Sequence, residues 1–189
     1  GSSTFSNLIN TTINNNAIVN FGTSELSGGT GTFRLNNGGK IITAHANGLS
    51  TTGSIQNSTR VFSATADYEF RGASTGVFAT TGSACRNFTV NNAGGEVVLS
   101  QAMTVNNALT LTNGYLTTTT SLLTIGTSGT STSANGSFVN GPLAKIINTA
   151  NTNFTFFVGT TTGGLRLIGI TTVPTPGAGS TTFTARFFY

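Results

Sequence analysis

Charge is what this sequence has least of. Only 6% of its 189 residues are Asp, Glu, Lys or Arg, against about 25% in ordinary globular domains. Four acids, Glu25, Asp67, Glu69 and Glu96, stand against eight cations, for a net charge of +4. Nucleic-acid recognition needs a clustered basic stripe, often interleaved with aromatic rings. Arg34, Lys40, Arg60, Arg71, Arg86, Lys145, Arg166 and Arg186 are scattered singly, which argues against nucleic acid as a partner. Tryptophan is absent, and there is one cysteine, Cys85, and one histidine, His45. A single thiol closes no disulfide within the chain, and one Cys with one His cannot supply a zinc ligand set. No apolar run approaches the ~18–20 residues of a membrane span, so no membrane insertion is expected. Glu, Lys and Gln are scarce, and no long segment carries a 3.6-residue apolar period, which argues against helices.

Thr, Ser, Asn and Gly fill the gap. Apolar residues, 37% of the chain, recur along its whole length, and there are only three prolines. That combination points to a packed β protein rather than a disordered one. The clearest stretch runs from Phe88 to Ile125, with apolar beats at Phe88-Thr-Val90, Val97-Val-Leu99, Met103-Thr-Val105, Leu109-Thr-Leu111, Tyr115-Leu116 and Leu122-Leu-Thr-Ile125. Beats this short and dense suit a β-solenoid better than a hairpin sheet or a sandwich. Three beats make a coil of about 20 residues. Asn and Gly accept positive φ cheaply, and they fall between beats at Asn14-Asn15-Asn16, Asn36-Asn37-Gly38-Gly39, Asn91-Asn92, Asn106-Asn107 and Asn113-Gly114. Repeated turns would stack these amides into hydrogen-bonded ladders. Six or seven coils at about 4.8 Å each would make a rod about 30 Å long.

The texture changes near residue 135. Thr127–Gly136 reads as a Ser/Thr/Gly loop. Longer strands follow at Ser137–Lys145, Asn153–Val158, Leu165–Thr172 and Thr181–Tyr189, with a hairpin-like connection at Val173-Pro-Thr-Pro-Gly-Ala-Gly179. The expected organisation is a parallel β-helix over residues 1–135 and an antiparallel β cap over 136–189. An uncapped solenoid would leave core and strand edges open.

Catalytic chemistry has little to work with. Polysaccharide lyases and glycoside hydrolases need paired carboxylates, or calcium-binding acids with a basic residue. Only Asp67 and Glu69 are close in sequence, on one strand face, with Arg60 and Arg71 as neutralising neighbours. Two readings stand: an ion-pair cluster, or a sugar or cation site. Ser–His–Asp catalysis would need His45 near Asp67 and an activated serine, and no nucleophile motif is present. Gly28-Gly-Thr-Gly31 lacks the Lys-Ser/Thr ending of a phosphate loop. No catalytic, cofactor or metal site is expected. Cys85 reads as a buried small residue, with an intermolecular disulfide as the alternative. Phe183, Phe187, Phe188 and Tyr189 read as the core of the last strand, or as a strand donated to a neighbouring subunit.

Taken in order, several segments resemble the repetitive β-helix modules of large secreted surface, adhesin-like proteins of the Bacteroidota. They include Leu26-Ser-Gly-Gly-Thr-Gly-Thr-Phe33, Ala44-His-Ala-Asn-Gly-Leu49, Ala66-Asp-Tyr-Glu-Phe-Arg-Gly72, Asn87-Phe-Thr-Val-Asn-Asn-Ala-Gly-Gly95, Leu109-Thr-Leu-Thr-Asn-Gly114, Phe138-Val-Asn-Gly-Pro-Leu143 and Phe154-Thr-Phe-Phe-Val-Gly159. The resemblance runs from about Leu26 to the end. It implies a right-handed parallel β-helix, export by the type IX route, and an adhesin or matrix role with no catalytic residues. Such proteins end in a separate sorting domain. This chain stops at Arg186-Phe-Phe-Tyr189 without one, which points to a fragment, a processed subunit or another export route. The expected function is an extracellular or cell-surface structural protein, a self-assembling module of a filament, sheath or adhesin stalk. Its partners would be copies of itself. A glycan- or host-surface-binding module is the alternative, and a polysaccharide lyase or glycoside hydrolase is the remaining one.

Overall fold

The computed structural model describes residues 4–6, 10–78, 80–149, 153–171, 176 and 179–188. It is all β, with no α-helix among these residues. The strands run β1 (Thr4–Ser6), β2 (Thr11–Ile13), β3 (Ile18–Gly22), β4 (Glu25–Ser27), β5 (Thr32–Leu35), β6 (Lys40–Thr43), β7 (Thr59–Phe62), β8 (Asp67–Phe70), β9 (Ala84–Val98) and β10 (Met103–Thr117). They continue as β11 (Leu123–Ile125), β12 (Thr130–Ser133), β13 (Phe138–Asn140), β14 (Leu143–Ile147), β15 (Phe154–Thr160), β16 (Gly164–Ile170) and β17 (Thr181–Ala185).

Parallel pairing stacks them into a β-solenoid of about 7 turns. One column holds β2, β5 and β7. It resumes where the start of β9 pairs β10, followed by β11 and β14. A second holds β3, β6, β8, the middle of β9 and β10, and β12. A third begins with β1 and β4, and carries the ends of β9 and β10, then β13 and β15. β9 and β10 are 15 residues each because their strands bend around corners instead of breaking. Register shifts between β9 and β10 at Val105/Ala108, Leu111/Asn113 and Asn113/Tyr115 mark those corners, as bulges do elsewhere.

Alternation fixes which residues face in. Ile41, Tyr68, Phe88 and Leu109 follow one another in register in the second column, all buried. Val97, Leu116, Val139 and Val158 do the same in the third. Each such side chain contributes about 1.5–3 kcal/mol when fully buried. In the early coils the core is aromatic. Phe21, Phe33, Phe62, Phe78, Phe70 and Phe88 form a chain of rings with centroids 5.2–6.3 Å apart. Tyr68 joins it and donates its hydroxyl to the Ser63 carbonyl at 2.8 Å, so its polar tip is satisfied.

The parallel stack does not stop at residue 135. β13, β14 and β15 continue it, and pairing turns antiparallel only where β16 folds onto β15 and β17 onto β14. The C-terminal antiparallel cap is therefore present, but it consists of two strands. The Ser/Thr/Gly stretch read as a loop contains β12, a strand of Thr and Ser alone, which no apolar beat announces. Ser137–Lys145 is not one strand: Gly141, at φ +132°, and Pro142 separate β13 from β14. Among the described residues β16 and β17 do not pair with each other, and most of the Val173–Gly179 connection lies outside those residues.

Candidate functional site

The charged residues gather on the outer face of the second column. β8 alternates Asp67-Tyr68-Glu69-Phe70; the aromatics face in, so the two carboxylates face out. The neighbouring strands are in register: Lys40 lies opposite Asp67, and Asp67 opposite Asn87. Arg86 grips Asp67 with two parallel bonds, Nε to Oδ1 at 2.8 Å and Nη2 to Oδ2 at 2.7 Å, and the Asn87 amide donates to Oδ1 at 2.9 Å. Glu69 receives Lys40 Nζ at 2.7 Å, Arg71 Nε at 2.7 Å and the Asn91 amide at 3.2 Å. Its side chain is only 7% exposed. Burial alone would raise its pKa, but the hydrogen bonds from Lys40, Arg71 and Asn91 outweigh it and hold the carboxyl below its usual range.

Each carboxylate is thus consumed by cations and amides. That fits the ion-pair reading of Asp67, Glu69 and Arg71. Lys40 and Arg86 complete the cluster, and Arg60 does not belong to it. Arg60 donates through Nη1 to the Leu49 carbonyl at 2.6 Å and the Ile55 carbonyl at 3.3 Å, with its guanidinium over the Phe62 ring. Sequence proximity groups it with Asp67 and Glu69, but its strand, β7, lies in the first column. Coil register, once assigned, would have found Lys40 and Arg86.

The other acids are also engaged. Glu96 accepts the Thr117 hydroxyl. Glu25 accepts from His45 Nε2 at 3.0 Å, while His45 Nδ1 accepts the Asn47 N–H at 3.0 Å. Both ring nitrogens are occupied, and the imidazole pairs with Glu25 rather than Asp67. Among the described residues no three His, Cys, Asp or Glu side chains gather as a metal set.

Cys85 is fully buried, in register with Val105. A thiol enclosed by core cannot reach a second chain, so the intermolecular disulfide has no exposed group to form it. The terminal strand is docked in its own chain: Phe183 lies opposite Lys145 of β14. Phe183 and Phe187 pack against the core, and Phe188 is 72% exposed, with the Arg186 guanidinium 4.7 Å above its ring. The strand thus pairs within its own chain, and of the described aromatics read as a subunit contact, Phe183, Phe187 and Phe188, only Phe188 stands open. Tyr189 lies outside the described residues.

Sequence reading missed Lys145. It occupies an inward column below Cys85, Val105 and Ile125. Its ammonium donates to the carbonyls of Gly126, Thr127 and Gly129 at 2.6, 2.9 and 2.8 Å. It caps, from inside, the turn of the preceding coil.

Comparison with known proteins finds no matching family model, no matching curated protein and no matching solved structure.

Proposed function

We propose that this chain is a structural module of an extracellular or cell-surface protein, a solenoid section of a filament, sheath or adhesin stalk, which associates with copies of itself and catalyses no reaction. The observation that carries this reading is the state of the four acids: each one is spent on holding coils or turns together. A hydrolase or lyase would need a carboxylate facing substrate with a poised pKa. Outside that ion-pair cluster the surface is rich in neutral amides and hydroxyls, and the sequence resemblance to secreted Bacteroidota modules supports the same placement. Self-association is supported by the terminal strands. Among the described residues β16 pairs only with β15 and β17 only with β14, and Leu167 is 64% exposed. Unpaired edges with apolar side chains recruit further strands.

Sedimentation velocity and negative-stain electron microscopy test the assembly, with concentration-dependent oligomers or filaments expected. A strict monomer at high concentration would reject it. Turnover on any member of a broad polysaccharide panel would reject the non-catalytic reading.

A further inference from the structure

Seven of the eight cations are occupied. Lys40, Arg71 and Arg86 hold carboxylates. Arg60 and Lys145 hold carbonyls, and Arg166 and Arg186 lie over aromatic rings. Among the described residues Arg34 has no such partner. It projects from the outward face of β5, opposite Val61 of β7. There it lines a groove of about 310 Å³ together with Asn36, Asn37, Ser63 and Thr65. That volume is at the lower end of small-ligand sites, roughly 300–1,000 Å³. The Asn36–Gly39 turn divides it from a second groove of about 190 Å³ around the corner, where Ile18, 65% exposed, stands beside Lys40, Arg86 and the Asp67 carboxylate that Arg86 grips. Arg86 uses Nε and Nη2 on Asp67, which leaves Nη1 unpaired among the described residues.

We propose that this corner binds an acidic polysaccharide, with a carboxylate or sulfate on the Arg34 guanidinium and the chain running across the Asn36–Gly39 turn towards Arg86. A guanidinium offers a planar fork to either anion. The amides and hydroxyls of the rim both donate and accept, which matches sugar hydroxyls. Val61 and Ile18 supply aliphatic surface for the C–H faces of the rings. An isolated solvent-exposed cation holds a free anion weakly. A polymer that meets the open fork of Arg34, a polar rim and the one remaining edge of the Asp67-paired Arg86 adds its contacts together. The assignment is independent of self-assembly, and sedimentation run on the same samples separates a failure of one from a failure of the other.

The test uses the full chain against immobilised polygalacturonate, dextran sulfate and uncharged dextran, with single-stranded DNA as a further polyanion. Binding to polygalacturonate or dextran sulfate is expected, and the preference between them distinguishes carboxylate from sulfate. Arg34→Gln is expected to weaken it about tenfold, the size of one charge-assisted hydrogen-bonded contact. Arg34→Lys should fall between, because it keeps the charge and loses the fork. Arg166→Gln, which removes the same charge elsewhere, should change affinity less than about twofold by the same comparison. Equal losses in Arg34→Gln and Arg166→Gln would reduce the effect to net charge and overturn the site. So would absence of binding to both anionic polymers, equal binding to uncharged dextran, or DNA bound as tightly through Arg34 as the better polysaccharide. Arg34 is exposed, so an unchanged melting temperature is expected for its variants and is checked alongside.

Discussion

Lys145 occupies a position where the column demands an apolar side chain. Its neighbours in register, Ile125 and Val105, are fully buried, and Lys145 itself is 2% exposed. Burial pushes its pKa below the ordinary 10.5, while three carbonyl acceptors favour the charged form. Replacement by methionine keeps much of the volume and strands those carbonyls. Lys145→Met is therefore expected to lose about 2 kcal/mol in urea unfolding at neutral pH, within the ~1–3 kcal/mol of an unsatisfied buried polar group. The pH dependence has a definite sign. The folded pKa lies below the unfolded one, so the unfolded chain holds its proton longer, and wild-type stability rises with pH between the two values. The variant should lack that rise. Cys85 gives a second residue-level expectation. Burial first, and the Asp67 carboxylate second, push its thiol up to about 12. An Ellman reagent at pH 8 should find no reactive thiol in native protein and one in denaturant. A dimer abolished by reductant on a gel would contradict this.

The amide ladders tie coil to coil. Asn91 donates to Glu69, Asn113 to Asn91 and Asn135 to Asn113, each 22 residues apart, at 3.2, 2.8 and 3.0 Å. A second ladder links Asp67, Asn87 and Asn107 at spacings of 20. Asn113 is the middle rung, so Asn113→Ala breaks two bonds and should cost about 1–2 kcal/mol in thermal or urea unfolding. Its neighbour Gly114 has φ +75°, and a Cβ there would stand 2.2 Å from the Asn92 carbonyl oxygen. Between strands β6 and β8 the stitch is ionic. Glu69 has a depressed folded pKa, so its stabilisation is present above the unfolded value near ~4.3 and is lost as pH falls through the folded one. Acid unfolding of Glu69→Gln should show a weaker pH dependence than wild type over that range. The beats from Phe88 to Ile125 were legible because inward residues repeat at fixed spacing, and the Asn turns betrayed the ladders. β12 was illegible, since Thr-Ser-Thr-Ser carries no apolar beat. So was Lys145, because a lysine in a core column breaks the very alternation that identifies the column. Arg60 was misplaced because nearness in sequence says nothing about which column a coil residue enters.

A solenoid is nearly one-dimensional, so its association is decided at its terminal strands. Here those strands are poorly defended. No acid follows Glu96 in the sequence, and the only charge on β16 or β17 is Arg166, a thin version of the charge that blunts most edges. β16 exposes Leu167 on one face and Ile168 on the other. With 6% charged residues in the whole chain, little repulsion opposes close approach. A lysine on β16 should therefore suppress association out of proportion to one added charge, because it sits on the unpaired strand itself. Leu167→Lys is expected to shift sedimentation towards monomer at concentrations where wild type associates. Val77→Lys is the matched control. Val77 is 60% exposed and lies outside every strand, so the variant adds the same charge and removes comparable apolar surface without touching an edge. If both variants dissociate equally, association is colloidal and the terminal strand has no special part in it. If only Leu167→Lys does, strand addition at β16 is the mode of assembly.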